Sequence, residues 1–245
     1  MIQIGALRGL IRRRVLVNFR VDPKVMARRL PDPFRPLLVG GAAIAGICLI
    51  RLEQIRPPFA PRAFGIRSEN AAHRVAVKWM DSSGREIEGV YVLRRDTDSV
   101  WNHIAGGRLF PGRHHLAKFQ VCDDCRRIQI RMDSDDGSAD LAISARTGEG
   151  LREESRFPSL AQARLFFENG KIGYSPSQQG QRFDGLELDT EPWVLMPLHV
   201  ESLSARYFDD SAAFPAGSIA FDSALILRDV EHTWRTLDRL DLRAS

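Results

Sequence analysis

The sequence predicts an α+β fold in which antiparallel strands dominate, arranged as a curved sheet or barrel with a few short helices. Two observations carry this. Apolar segments of strand length recur along the chain between turn residues, and only one segment shows a firm helical stripe between start and stop signals. The 245 residues are 44% hydrophobic and 27% charged, a globular balance with enough chain for a large core. No internal repeat, low-complexity run or linker divides the chain, so residues 1–245 are read as one domain.

Residues 15–21 read as the first strand. Asp22 and Pro23 then open a short helix over 24–30. Asp caps free N–H groups, and proline at the first helical position sacrifices no hydrogen bond. Residues 42–50 are continuously apolar, which suits a strand buried on both faces, although a buried helix satisfies the same pattern. Residues 72–79 alternate, with Val75, Val77 and Trp79 on one face and Arg74, Ala76 and Lys78 on the other, as in a half-buried strand. The turn at 81–84 joins them to a returning strand at 88–93. Strands are expected at 115–121, 126–132 and 139–145. Pro158 and Ser159 start the firm helix, Leu160, Ala163, Leu165, Phe166 and Phe167 form its stripe, and Asn169-Gly170 stops it. Further strands are expected at 185–188, 193–203, 219–227 and 232–237.

Several function classes are disfavoured. The net charge is +4, but arginine is spread along the chain rather than clustered with aromatics, so nucleic acid is not an expected partner. The longest apolar run, 42–50, is far below the roughly 20 residues that cross a bilayer. The basic N-terminus, Arg8 and Arg12 to Arg14, is followed by a segment too short and polar for a secretion signal. Three cysteines, Cys48, Cys122 and Cys125, are an odd number that points to a reducing compartment and a cytoplasmic protein. Cys122-Asp123-Asp124-Cys125 has no second cysteine pair for zinc and no βαβ setting for redox chemistry, so it reads as an acidic turn. No phosphate-binding loop, dinucleotide fingerprint or metalloprotease motif occurs, and no cofactor or metal is assigned.

Ionisable residues concentrate in 94–119, RRDTDSVWNHIAGGRLFPGRHHLAKF. A short helix is expected over 99–105, and the Gly-rich loop 106–113 delivers His114 and His115 to the next strand. Histidine moves protons near neutral pH, and His73, His103, His114 and His115 fall close together. As strand neighbours, His114 and His115 point to opposite faces, so they are not a two-histidine metal site. His115 shares the face of Phe119 and Val121, which favours it as the inward histidine. Arg94, Arg95 and Arg108 offer planar forks for a carboxylate; they could equally form ion pairs with Asp96 and Asp98. Glu69, if it lies in an apolar cavity, would have a raised pKa suited to acid or base work.

These motifs together resemble a known family. They are Val17 to Pro23, Ser68-Glu69-Asn70-Ala71-Ala72-His73-Arg74, Gly89-Val90-Tyr91, Arg94 to Thr97, Gly107 to His115, Tyr207-Phe208-Asp209-Asp210, and the segment from Phe214 to Leu225. The resemblance is to the YqjF-like family of uncharacterised bacterial proteins, grouped with the acetoacetate decarboxylase-like fold, and it covers nearly the whole chain. It implies a β-barrel-like α+β domain around a small cavity. Acetoacetate decarboxylase works through a lysine Schiff base activated by a second lysine. Anchoring on Gly107-Arg108 and Leu116 puts His114-His115 in the place of that pair; anchoring on Phe110-Pro111 puts Gly112-Arg113 there. Neither alignment supplies a lysine, and neither imidazole nor guanidinium forms the imine. The resemblance also puts Glu69 near an acidic site residue and Arg12 at a site arginine.

Two functions follow as expectations. One is acid–base chemistry on a short oxo-carboxylic acid, with His115, Glu69 and His114 as catalytic groups and Arg95, Arg108, Arg12 and His73 binding substrate. The other is a non-catalytic barrel that binds a small anionic ligand through the same groups. Either way the partner is a small-molecule carboxylate, and a homo-oligomer is compatible with both.

Overall fold

In the computed structural model, residues 6–100, 112–124, 126–177, 182–190 and 192–241 are described. They build a single thirteen-stranded sheet. The first half contributes β1 (Ala6–Val21), the short pieces β2 (Arg35–Pro36) and β3 (Leu38–Val39), β4 (Ala42–Arg56), β5 (Ile66–Met80) and β6 (Glu86–Thr97). The second half contributes β7 (His114–Asp123), β8 (Arg127–Ser134), β9 (Leu141–Thr147), β10 (Ile172–Pro176), β11 (Arg182–Thr190), β12 (Met196–Ala205) and β13 (Ile219–Asp241). Among the described residues there are two α-helices, α1 (Pro23–Ala27) and α2 (Leu160–Asn169), and one 3-10 turn, Arg62–Phe64.

The order β6-β7-β8-β9-β12-β13-β1-β4-β5 returns to β6, which closes nine strands into a barrel. Closure removes the sheet edges and creates an interior. Nearly all pairings are antiparallel; β6 pairs parallel with both β7 and β10. The long strand β13 pairs with β1 along one edge and with two strands along the other, meeting β12 over Ala224–Ile226 and β11 from His232 onward.

β1 and β4 lie side by side at the centre, which is why both are apolar on two faces. Val15, Val17, Ile47 and Leu49 turn into the barrel core, while Leu16, Cys48 and Ile50 face a second core on the outer side. All nine residues of 42–50 are buried. Helix α1 starts as its sequence dictates: Asp22 accepts from the N–H groups of Lys24 and Val25, with Pro23 in the first turn. It ends at Ala27, short of Leu30, which still packs into the core. Phe34, just beyond, sits among Trp79, Tyr91, Tyr174 and Phe183 inside the barrel.

Four expectations change. β5 is not half-buried: Arg74 and Ala76 on its outer face are as buried as Val75 and Val77, because α2 lies over that side with Ala163 and Phe167. Leu165 is not part of the helix's packing stripe; it is 58% exposed. The segments 219–227 and 232–237 are one strand, since Asp229 adopts a left-handed φ of 52° without ending it. β10 was not expected at all. The helix expected over 99–105, the loop at 106–111 with Arg108, and also His103 and Cys125, lie wholly or largely outside the described residues.

Candidate functional site

Strand register brings four charged residues into one row across the barrel wall. Arg228 on β13 pairs with Arg13 on β1, Arg13 with Arg51 on β4, and Arg51 with Glu69 on β5. Glu69 and Arg13 lie far from water: the Arg13 Nη2 donates to Glu69 Oε2 at 2.7 Å, with side chains 6% and 11% exposed. Arg51 approaches Glu69 at 3.6 Å and Glu53 at 3.4 Å. Asp123, at the end of β7, accepts two hydrogen bonds from Arg228, at 2.6 and 2.8 Å, and lies 4.0 Å from Arg13. Burial raises the Glu69 carboxyl above its ordinary range, against the pull of Arg13. A carboxyl so placed exchanges protons closer to neutral pH than one in water.

A second polar group lies further along the same interior face. His73 is fully buried, with its ring 4.5 Å from Tyr207 and 5.9 Å from Phe208. Its Nδ1 is 3.7 Å from an oxygen of Asp96, too far for a hydrogen bond, and neither ring nitrogen has a partner among the described residues. Burial lowers its pKa to about 3, with help from the Arg94 charge, so the ring is neutral. Arg94 grips Asp96 at 2.7 Å and Asp136 at 2.8 Å. Burial raises the Asp96 carboxyl while Arg94 opposes it; the Arg94 hydrogen bond holds Asp136 well below the usual carboxylate range.

His115 stands beside Asp96 in the β6–β7 register and so shares its inward face. Its Nδ1 is 3.6 Å from Asp136, and its side chain is 43% exposed. His114 is level with Arg95 on the opposite face. Counting along the register, His115 is two strands and two residues from Glu69, about 12 Å between Cα atoms from ordinary strand spacings.

The other expected residues fall elsewhere. Arg95 turns to the outer face, where burial lowers it to about 10 and its guanidinium donates to Ser175 Oγ at 3.0 Å. Gly112 packs against this pair: with a left-handed φ of 84°, it leaves no room for a Cβ, which would lie 2.9 Å from Ser175. Arg12 lies at a bulge between β1 and β4 and points outward to Glu53 and Asp229; Arg13 is the arginine that meets Glu69. All four lysines are accounted for: Lys24, Lys118 and Lys171 are exposed, and Lys78 pairs with Glu86 at 3.0 Å. None faces the interior.

Arg13, Arg51, Asp123 and Arg228 escaped the sequence reading. Each belongs to a strand whose partner was unknown, and no local pattern marks them. The one available signal was parity: Arg13 shares the face of Val15 and Val17. Among the described residues no group of three or more His, Cys, Asp or Glu is arranged to hold a metal ion, and no helix is long and apolar enough to cross a membrane.

This barrel has the acetoacetate decarboxylase-like fold. Acetoacetate decarboxylase from Legionella pneumophila superimposes with a TM-score of 0.62 at 15% identity, covering 96% of this chain and 88% of its own. An acetoacetate decarboxylase-like enzyme from Sphingomonas wittichii gives 0.59 at 13%, with 98% and 94% covered. The enduracididine biosynthesis enzyme MppR, complexed with pyruvate, gives 0.58 at 12%, with 97% and 89% covered. At these identities the likeness is one of fold. The chain belongs to DUF2071, a family described as an uncharacterized conserved protein (COG2071), whose pattern it matches over residues 10–221. No curated protein matches it in sequence.

Proposed function

We propose that the interior face between Glu69 and His115 binds a short oxo-carboxylic acid and carries out proton transfer on it, such as enolisation or hydration. The observation behind this is the buried, proton-hungry Glu69 beside Arg13, facing the same interior as His115. Arg51, held only by longer contacts at 3.4 and 3.6 Å, is the guanidinium best able to turn toward an incoming carboxylate. Glu69 would take or give a proton at the substrate carbon, and His115, reachable from solvent, would relay it. The neutral His73 offers unpartnered ring nitrogens to the substrate's oxygen. Similar folds accommodate oxo acids, as the pyruvate complex of MppR illustrates. A Schiff-base decarboxylation is not proposed, because it needs a lysine amine in the barrel.

A second reading has its own support. Among the described residues, Glu69, Asp96 and Asp123 are each already ion-paired, which suits a rigid pocket that binds a small anion without converting it. Proton NMR of the protein with 2-oxo and 3-oxo acids in deuterium oxide separates the two. Exchange of α-protons or new product signals above a protein-free blank establish an enzyme. Line broadening without conversion establishes the binding protein. Unchanged spectra for the whole set reject both.

A further inference from the structure

The outer side of the sheet, beneath α2, holds a second concentration of charge that the interior site does not use. Arg14 on β1 and Arg74 on β5 line one small cavity, walled by Ala76, Val90, Phe166 and Phe167. Arg74 is 3% exposed; its Nη2 donates to Asn18 Oδ1 at 3.0 Å, and its guanidinium lies 5.1 Å above the Phe167 ring. Arg14 places its Nε 3.2 Å from the Cys48 sulfur and its guanidinium 5.1 Å above the Trp193 ring. Neither arginine has an ion-pair partner among the described residues. Arg14 Nη1 and Arg74 Nε are buried without any acceptor.

Buried guanidinium groups are ordinarily paired, because an uncompensated charge away from water is costly. Here two like charges share a cavity. Burial and the nearby Arg14 charge bring Arg74 down to about 10, although the Cys48 thiol pulls the other way. The C-terminal end of α2 contributes about half a negative charge, which leaves the pair well short of neutral. Glu88, the acidic residue lining the cavity, lies exposed on β6 and pairs with neither arginine.

Size narrows the missing partner. The cavity offers the centre of a water-sized particle about 20 Å³, enough for a single-atom ion and too little for an organic acid or phosphate. We propose that this cavity binds a small monovalent inorganic anion, chloride or a similar halide, between Arg14 and Arg74. The ion accepts from the two N–H groups that no protein atom takes up. The apolar walls lower the local dielectric and so strengthen the attraction. The bound ion ties β1, β5 and the end of α2 together, apart from the interior site.

Two measurements on the full chain test this. Crystals soaked in sodium bromide should show an anomalous peak between Arg14 and Arg74. In solution, the thermal midpoint should rise saturably with chloride when sodium gluconate holds ionic strength constant. The expected rise is about 5 °C at roughly a hundredfold excess over the dissociation constant. Arg74→Gln should abolish the rise. Arg14→Gln, at a half-buried position, should weaken apparent chloride affinity at least about tenfold, the usual scale for losing one charged hydrogen bond, and it decides the matter if Arg74→Gln does not fold. No anomalous peak, a midpoint indifferent to which anion is present, or an Arg14→Gln chain with unaltered chloride response overturns the proposal.

Discussion

Arg13 and Glu69 meet at 2.7 Å inside the barrel although 56 positions separate them in the chain. Their strands are not neighbours: β4 runs between them and adds Arg51 to the same row. Truncating Arg13 to Ala strands the Glu69 carboxyl in a dry interior. Removing one partner of a buried pair costs about 3–5 kcal/mol, and urea unfolding of Arg13→Ala should show a loss of that size. Glu69→Gln, which leaves an amide able to accept from Arg13, should lose less. Equal losses from both would mean that the introduced amide does not replace the carboxylate as the acceptor for Arg13.

The His115 side chain is 43% exposed. His115→Ala should therefore leave the unfolding midpoint nearly unchanged while lowering any turnover found by about 100-fold or more, the usual scale for a general acid or base. A variant with intact turnover removes His115 from the chemistry.

His73 sets a pH dependence. Its pKa is about 3 in the folded chain against an ordinary value of 6.5. Between these values the unfolded chain binds a proton that the folded chain refuses, so this contribution to stability is present above pH 6.5 and is lost as pH falls toward 3. By pH 4 the loss amounts to about 3 kcal/mol at 1.36 kcal/mol per pH unit. Glu69 and Asp96, whose pKa values are raised, act with the opposite sign. Comparing His73→Leu with the wild type isolates the histidine: the wild type should lose stability relative to the variant as the medium is acidified from pH 7 to 4. A difference that stays level with pH would be incompatible with a buried neutral His73.

The acidic turn divides into parts of unequal weight. Asp123→Ala should destabilise the fold by about 2–4 kcal/mol, because it frees the Arg228 guanidinium from two charged hydrogen bonds. Cys122→Ser, on the exposed flank, should stay within about 0.5 kcal/mol of the wild type. Denaturant titrations of both variants check the contrast.

Borohydride reduction in the presence of pyruvate or acetoacetate traps Schiff bases as stable adducts. With no lysine turned into the barrel, intact-mass spectrometry should show no stoichiometric adduct. A single adduct in high yield on one lysine would restore the decarboxylase chemistry that the residues argue against.

Much of the fold was legible in the chain because its signals are local. The caps Asp22 and Ser159, the stop at Gly170, the turns at 81–84 and 134–137, and the apolar run 42–50 each need only a few neighbours to be understood. Their form follows from backbone geometry and from which side chains tolerate water. β10 was not legible: its five residues include Gly173 and Pro176, and it exists because β6 and β11 lie on either side.

The candidate site was legible only in part, because a strand shows each side chain to one of two faces and a one-residue slip reverses them. The sequence by itself determined that Glu69, His73 and the histidine pair are ionisable groups on strand-like segments, that His114 and His115 oppose each other, and that lysine is scarce. Tertiary structure alone decided that Arg13 rather than Arg12 meets Glu69, since a bulge at Arg12 turns it to the surface. It also decided that Arg95 faces outward, and that Asp123 reaches Arg228 across 105 positions. These are choices of register and closure, and they depend on strands remote in sequence competing for the same hydrogen bonds.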